Sequence, residues 1–387
     1  MTSLELAAVF FCVLATLIHL LSVGLAMARC RSPDKARSPT AVPAVTILRP
    51  VCGLDPHEEL TLRSGFELSA RNITLIFCCA RADDPVVPLI HKLMLAFPDV
   101  PARLLIGEES STPNPKLGNL IKGWHAATDQ WIVMADSNVL MPPDYIEQLF
   151  DRWRSDTGLV CSPPIGCMPQ GFWALLECAL LNGYQARWQY TADSLGLGFA
   201  QGKTMLWRRA DLEKAGGIRA LADEIAEDAA ATKLVRGLGL RVRLVGRAFG
   251  QPLGRRSLRQ VWDRQLRWAR LRRATFPACF TPEIFAGSLP PLLAGVYAAE
   301  ALGLAPGAVA LALCLLWLGS EALLTRAAGW HLSAISPLAW VLRDLTLPVL
   351  WISAWVGDGF TWRGNRMHLS ATAEQECPQG KNWRGIG

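Results

Sequence analysis

An α/β domain with a parallel, doubly wound sheet, attached to a membrane at both ends, is predicted by three features of the chain. Short β-branched runs alternate with helix-length segments between residues 40 and 280. An apolar run of 23 residues, 6–28, lies near the amino terminus, and apolar segments return after residue 284. Hydrophobic residues make up 51% of the 387 and charged residues only 19%, against roughly 25% in an average globular domain. Mean hydropathy is positive, at +0.22. That apolar content excludes a disordered chain. The eleven cysteines are scattered without a C-x-x-C pair and the six histidines do not cluster. Both a disulfide scaffold and a zinc site are therefore excluded, and the thiols read as reduced core residues.

The amino-terminal run contains His19 as its only ionisable residue and is long enough to span a bilayer. Ala26, Met27 and Ala28 have the small-residue pattern of a signal-peptidase site. However, Glu5 precedes the run and Arg29, Arg31, Lys35 and Arg37 follow it, the reverse of a signal peptide. Residues 1–28 are thus expected to be an uncleaved anchor, with the following block in the cytoplasm by the positive-inside rule.

Within the block 40–280, the segments 45–48, 74–79, 103–106, 131–135, 159–161 and 241–245 read as strands. Segments 56–66, 85–96, 117–127, 143–153 and 226–237 read as helices between them. Residues 171–182 (GFWALLECALLN) are apolar on most sides and read as an interfacial helix, with a buried core helix as the alternative. Ligands of such sheets bind beyond the carboxyl ends of the strands, so the chemistry is sought there.

After the second strand come Asp83 and Asp84, and after the fourth come Asp136, Ser137 and Asn138. Glu227 and Asp228 open a later helix, and Asn114-Pro115-Lys116 stands at another helix start, where a lysine can meet a phosphate. Each acidic pair alone is equally well a cap or a turn. Gly202-Lys203-Thr204 is not a P-loop, because the required glycine five residues earlier is Leu197. It reads as a strand, with Lys203 a candidate phosphate or lipid contact.

The net charge of +6 has one source. Residues 255–273 (RRSLRQVWDRQLRWARLRR) hold eight arginines and one aspartate, leaving the rest near neutral. Leu258, Trp262, Leu266 and Ala269 fall near helical spacing, so this element is an amphipathic helix suited to an anionic membrane surface. Flanking membrane segments argue against the other use of such a cluster, nucleic acid.

Beyond residue 284, segments 285–299, 301–320 and 345–356 are apolar. The first is short and carries Pro290 and Pro291, so it reads as re-entrant or interfacial. The last has Arg343 and Asp344 near its start, placed to pair. Arg363 and Arg366 in the tail 359–387 favour a cytoplasmic carboxyl terminus and hence two full spans within 284–358.

In order and spacing, LRPVCGLDP, ADDP, PNPKLGNLIKG, MADSNVLMPPDY, GFWALLE, GKTMLWRR, AEDAAATKLVR and RQLRW resemble the membrane-bound GT-A glycosyltransferases. Specifically, the chain resembles the ceramide glucosyltransferase family, glycosyltransferase family 21, over nearly its whole length. The wording SPPIGC, LNGYQARWQY, LGFAQGKTMLW and QPLGRR is similar to a bacterial branch that includes hopanoid-associated glycosyltransferases. The resemblance implies a Rossmann-like nucleotide-diphospho-sugar transferase domain that moves a sugar from a UDP-sugar to the hydroxyl of a membrane lipid, with inversion. It implies an inner-membrane protein with its catalytic domain on the cytoplasmic side. Asp84, with Asp83 beside it, would bind uracil and ribose, and Lys116 would help neutralise the diphosphate. Asp136 would lie by the sugar-diphosphate and, with Asn138, bind Mg²⁺ or Mn²⁺. Asp228 would be the general base, and Arg264, Arg267 and Trp268 would close over diphosphate and acceptor. Asn138 departs from the D-x-D metal pattern; an amide oxygen brings no charge, so weaker metal affinity is expected. Two other functions fit parts of the pattern. A processive polysaccharide synthase shares the GT-A block and RQLRW but normally has more spans, and a membrane scaffold would retain an inactive domain.

Overall fold

The computed structural model of the chain describes residues 1–31, 42–107, 112, 114–362 and 365–368; Lys35, Arg37, Arg363, Cys377 and most of the tail lie outside them. Strands β1 (Val45–Pro50), β2 (Ile73–Cys79), β3 (Ala102–Ile106), β4 (Trp131–Ala135) and β5 (Thr157–Cys161) match the expected runs. Strand β6 (Ile165–Gln170) pairs in parallel with β9 (Gly250–Arg255) outside the main sheet, and β7 (Thr204–Arg208) and β8 (Arg241–Leu244) complete it. A hairpin, β10 (Gly359–Trp362) and β11 (Asn365–His368), ends the described chain.

The main sheet has the order β3-β2-β1-β4-β7-β5-β8. Six strands run in parallel, but β7 lies antiparallel to both β4 and β5. The sheet is therefore mixed, which corrects the expectation of a wholly parallel one. Apolar pattern could not reveal the direction of β7. Thr204, Met205, Leu206 and Trp207 are all buried, as in a parallel strand covered on both faces. Successive strand residues feed opposite cores: Ile47, Leu75, Val133 and Leu206 enter one cluster, and Leu48, Ile76, Met134 and Trp207 the other.

Helices α2 (Glu58–Ser64), α3 (Val86–Ala96), α4 (Pro115–Ala126) and α5 (Tyr145–Phe150) connect the first strands. Then α6 (Phe172–Cys178) continues through a π-helical stretch, Ala179–Ala186, into α7 (Arg187–Ser194). The first part of this rod, within 171–182, is the segment expected at the membrane interface. The structure favours the alternative: Ala174, Leu175, Leu176, Cys178, Ala179, Leu180 and Leu181 are all buried. Helices α8 (Arg209–Lys214), α9 (Glu227–Gly237) and α10 (Leu258–Thr275) follow, then the short α11 (Pro277–Phe280).

Among the described residues, three helices are long and apolar enough to cross a membrane: α1 (Ser3–Arg31), α13 (Pro306–Ala327) and α14 (Ser336–Trp355). Between α11 and α13, Pro277–Phe285 and Leu289–Leu302 form a pair bent by 44°, within which α12 is Leu289–Ala299. A bend of this kind belongs to a broken span or to a re-entrant loop. Helix α1 packs on α7, α12 and α13. Its inner end is shared with the domain core, since Val23 and Ala26 join Leu48, Trp124 and Trp207.

Buried charges join these helices. Arg343 pairs with Asp344, as anticipated, at 2.8 Å, and also with Glu321 of α13. Asp344 accepts hydrogen bonds from the Ser288 N–H (2.9 Å) and hydroxyl (2.6 Å). Gly183, in the π-helical stretch, leaves room for the Glu321 carboxylate, which any Cβ there would strike.

Candidate active site

The carboxyl ends of β1, β2 and β4 lie along one edge of the sheet. Because β7 is antiparallel, its first residue, Thr204, pairs with the last of β4, Ala135. Lys203 and Asp136 thus become neighbours, with the Asp136 N–H donating to the Lys203 carbonyl at 3.1 Å.

Helix α4 starts at this edge. The Asn114 carboxamide caps it, accepting from the N–H groups of Lys116 (3.0 Å) and Leu117 (3.1 Å), with Pro115 in the first turn. The Asn114 side-chain NH₂ donates to Glu227 Oε2 at 3.1 Å, tying α4 to the start of α9. From that base Lys116 Nζ reaches Asp136 Oδ1 (2.6 Å), Glu227 Oε1 (2.5 Å) and the Gly202 carbonyl (2.8 Å). Lys203 Nζ donates to Asp136 Oδ2 (2.8 Å) and Asn138 Oδ1 (3.2 Å). Asp228 Oδ2 accepts from the Gly202 N–H at 3.1 Å. Gly202 is needed for this convergence: a Cβ there would lie 2.7 Å from Glu227 Oε1 and 3.1 Å from Lys116 Nζ. Residues of β4, α4, α9 and the turn into β7 so form one network of alternating charge.

The electrostatics separate its carboxylates. Burial works to raise the Asp136 pKa, but Lys116 and Lys203 outweigh it and hold the group well below the usual carboxylate range. Burial, then the charge of Glu227, pushes Asp228 up to about 6, against the pull of Lys116 and the Gly202 N–H. Burial likewise favours the neutral form of Lys116, yet Asp136 and Glu227 keep it firmly protonated. For Lys203 burial prevails, and with nearby Arg264 it brings the pKa below that of a free lysine despite Asp136.

Helix α10 carries RQLRW and opens with a capping box: the Ser257 hydroxyl accepts from the Gln260 N–H, and Gln260 Oε1 from the Ser257 N–H. Of the expected apolar stripe, Ala269 is buried and Trp262 and Leu266 pack against Leu176, Val261 and Leu347, whereas Leu258 is exposed. Arg264 donates to Glu177 of α6 at 2.6 Å, and Arg256 approaches the same carboxylate at 3.5 Å. Trp268 packs on Ala174, Cys178, Leu181 and Leu253, and Arg267 is half-buried. Of the outer arginines of this helix, Arg272 pairs with Glu283, Arg273 with Asp358, and Arg270 donates to the Val356 carbonyl, while Arg259 is exposed.

Asp83 and Asp84 are held by other partners and differ from each other. Asp84 accepts from the N–H groups of Gly53 (2.9 Å) and Val86 (2.9 Å), stitching the loop after β1 to α3. Asp83 is exposed and pairs with Arg81. Sequence reasoning passed over Glu177 and Arg49. Arg49, wholly buried in β1, donates to the carbonyls of Thr61 (2.7 Å), Asp136 (3.1 Å), Ser137 (2.7 Å) and Val139 (3.1 Å). In each case the available signal was an ionisable residue inside an otherwise apolar run.

The model of the glycosyl transferase family 21 sequences matches residues 10–374. The chain belongs to that family. Among the relatives of this family 21 glycosyltransferase, ceramide glucosyltransferase 3 of Caenorhabditis elegans is 25% identical over 361 residues, covering 92% of this chain and 78% of its own length. The ceramide glucosyltransferase of Komagataella phaffii (strain GS115) is 30% identical over 294 residues, covering 61% of this chain and 58% of its own. In fold, the family 21 chain is similar to mannosyltransferase PcManGT of Pyrobaculum calidifontis, solved with GDP-Man and Mn²⁺. The TM-score is 0.51 and the identity 18%, over 91% of this chain and 98% of the other. The fold is that of the GT-A glycosyltransferases.

In this family 21 glycosyltransferase Glu177 holds Arg264 by a charge-assisted hydrogen bond. Glu177→Gln is expected to raise the KM for the donor about tenfold, the value of one charge-assisted hydrogen bond of about 1.4 kcal/mol. The Glu177→Asp protein should recover part of it. A donor KM unchanged in the Gln variant would show the pair to be structural only.

Proposed function

We propose that the chain transfers a sugar from a UDP-sugar to the hydroxyl of a membrane lipid, with inversion at the anomeric carbon, at the cytoplasmic face of a bacterial inner membrane. The observation that carries this reading is the juxtaposition of Asp228, a carboxylate raised to about 6, with a fixed cluster of cations. A base with a pKa just below the working pH is ionised yet basic enough to take a proton as an alcohol attacks. In this mechanism Asp228 accepts the proton of the lipid hydroxyl, whose oxygen forms the new bond to the anomeric carbon as the bond to UDP breaks. Lys116 and Lys203 lie where their ammonium groups offset the charge gathering on the departing diphosphate. Arg264, placed by Glu177, adds a third cation, and Arg267 and Trp268 extend the same helix toward the acceptor. Asp84 and Asp83, at the end of β2, are assigned to the uracil and ribose. The packing of α10 against α14 supports a lipid acceptor, since it sets RQLRW beside a candidate span.

A divalent cation, Mg²⁺ or Mn²⁺, suits part of this donor set. Among the described residues no three His, Cys, Asp or Glu gather around one point. Asp136 and Asn138 nevertheless turn two oxygens toward one position, the one Lys203 Nζ occupies. Those two would hold the ion, with phosphate oxygens filling its shell, and the ion would supply Lewis-acid stabilisation of the leaving group.

The test is to incubate membranes containing the protein with UDP-glucose, UDP-galactose and UDP-N-acetylglucosamine in turn, and to follow lipids by mass spectrometry. One lipid class, ceramide or hopanoid, should gain a single hexose or N-acetylhexosamine in a β-linkage. No gain with any donor would overturn the proposal, and ladders of several sugars would favour a processive synthase.

A further inference from the structure

Both oxygens of Asp136 are engaged by ammonium groups: Lys116 on Oδ1 at 2.6 Å and Lys203 on Oδ2 at 2.8 Å. Lys203 also reaches Asn138 Oδ1 at 3.2 Å, so one Nζ sits between the two oxygens that Asp136 and Asn138 turn toward one position. It is not a loose surface lysine. Its side chain is 14% exposed, and its carbonyl accepts from the Asp136 N–H. The next residue, Thr204, accepts a hydrogen bond from the Tyr145 hydroxyl at 3.0 Å.

The charge balance points the same way. Lys116 and Lys203 stand among Asp136, Glu227 and Asp228, while Arg264 and Arg256 flank Glu177. The site is thus close to neutral without substrate. A bare divalent cation would add two buried positive charges against Lys203, whereas a nucleoside diphosphate and a divalent cation together restore the balance.

We infer that Lys203 is the resident counterion of the Asp136–Asn138 pair. It excludes a divalent cation from the donor-free enzyme, and the cation enters only together with the diphosphate, onto whose oxygens Lys203 then turns. The inference rests on the reading that the donor is a nucleoside diphosphate sugar. It assigns Lys203 a role that the sequence pattern left open, and it makes the turn into antiparallel β7 part of the donor site.

The test titrates the full-length protein, in detergent micelles, with Mn²⁺ and follows the electron paramagnetic resonance of the free ion. The wild-type protein should take up no Mn²⁺ at sub-millimolar concentrations without nucleotide, and should take it up once UDP is added, beyond what UDP binds alone. Lys203→Met should bind Mn²⁺ without nucleotide at least tenfold more tightly than wild type. Lys203→Arg, which keeps a cation, should behave as wild type, and adding Asp136→Asn to Lys203→Met should abolish the gained site. Nucleotide-free binding that is equal in wild type and Lys203→Met, or absent in both, would overturn the inference. Should Lys203→Met fail to fold, wild-type Mn²⁺ affinity that is the same with and without UDP would overturn it. A gain of Mn²⁺ by Lys203→Met with no response to UDP in either protein would uphold the counterion and overturn the nucleotide reading instead.

Discussion

Asp228→Asn is expected to lower sugar transfer by about 10²–10⁴-fold, the usual loss on removing a general base. Donor binding should be largely kept, because the amide still fits beside the Gly202 N–H. The same substitution should not destabilise the protein at pH 7. In the folded chain, burial and then Glu227 raise this carboxyl to about 6, from an ordinary value of 3.8. A carboxyl raised on folding binds its proton more tightly in the native state. Its contribution to stability is therefore present at low pH and is lost as pH rises through about 6. At pH 7 the ionised group is held at a cost, and the neutral Asn relieves it. Activity has the opposite slope, since the base works ionised. The rate should be level above about pH 7 and fall as pH drops through about 6. Thermal melting and a pH–rate profile of both proteins check this. Normal turnover by Asp228→Asn would end the assignment of this residue as the base.

Arg49→Met is expected to cost about 3–5 kcal/mol of stability, because it strips the donor from four buried carbonyls at once. Burial lowers the guanidinium pKa only to about 10, so Arg49 remains a cation at neutral pH. Three of its partners are the carbonyls of Asp136, Ser137 and Val139, the loop that presents the Asp136 side chain. The variant should lose transfer together with a melting temperature lowered by many degrees. Asp136→Asn, by contrast, should lose transfer with a smaller change in melting. If Arg49→Met melted like the wild type, the hydrogen-bonded loop could not be what holds Asp136 in place.

Much of the fold is legible in the chain, for reasons visible in particular elements. The runs at 45–48, 74–79 and 131–135 are continuous and apolar because helices cover both faces of the sheet, and each became a strand within a residue or two. The apolar lengths of 6–28 and 301–320 required helices of membrane-spanning size, which α1 and α13 supply. The acidic positions after β4 and at the start of α9 were legible as candidates, because a carboxylate after an apolar strand stands at the crevice edge of such sheets. Lys116 could be named from its helix start, and Arg264 from RQLRW.

The sequence by itself therefore determined the kind of protein: an α/β transferase domain of glycosyl transferase family 21, apolar helices at its two ends, and the residue types of its crevice. The fold and the spans follow from signals local to a few residues, namely hydrophobic period, run length and charge after a strand, and the family from the resemblance of its ordered motifs. Only the tertiary structure decided which of those residues meet. Lys203 reaches Asp136 across 67 positions, and Arg264 reaches Glu177 across 87. The first depends on how the chain re-enters the sheet, since the apolar face of β7 is the same whichever way the strand runs, and the second on the packing of α10 against α6. The helical rod 172–194, packed against α1, α13 and α14, leads the chain back to the sheet edge where β4 ends. That return places a lysine between the two oxygens expected to hold a metal.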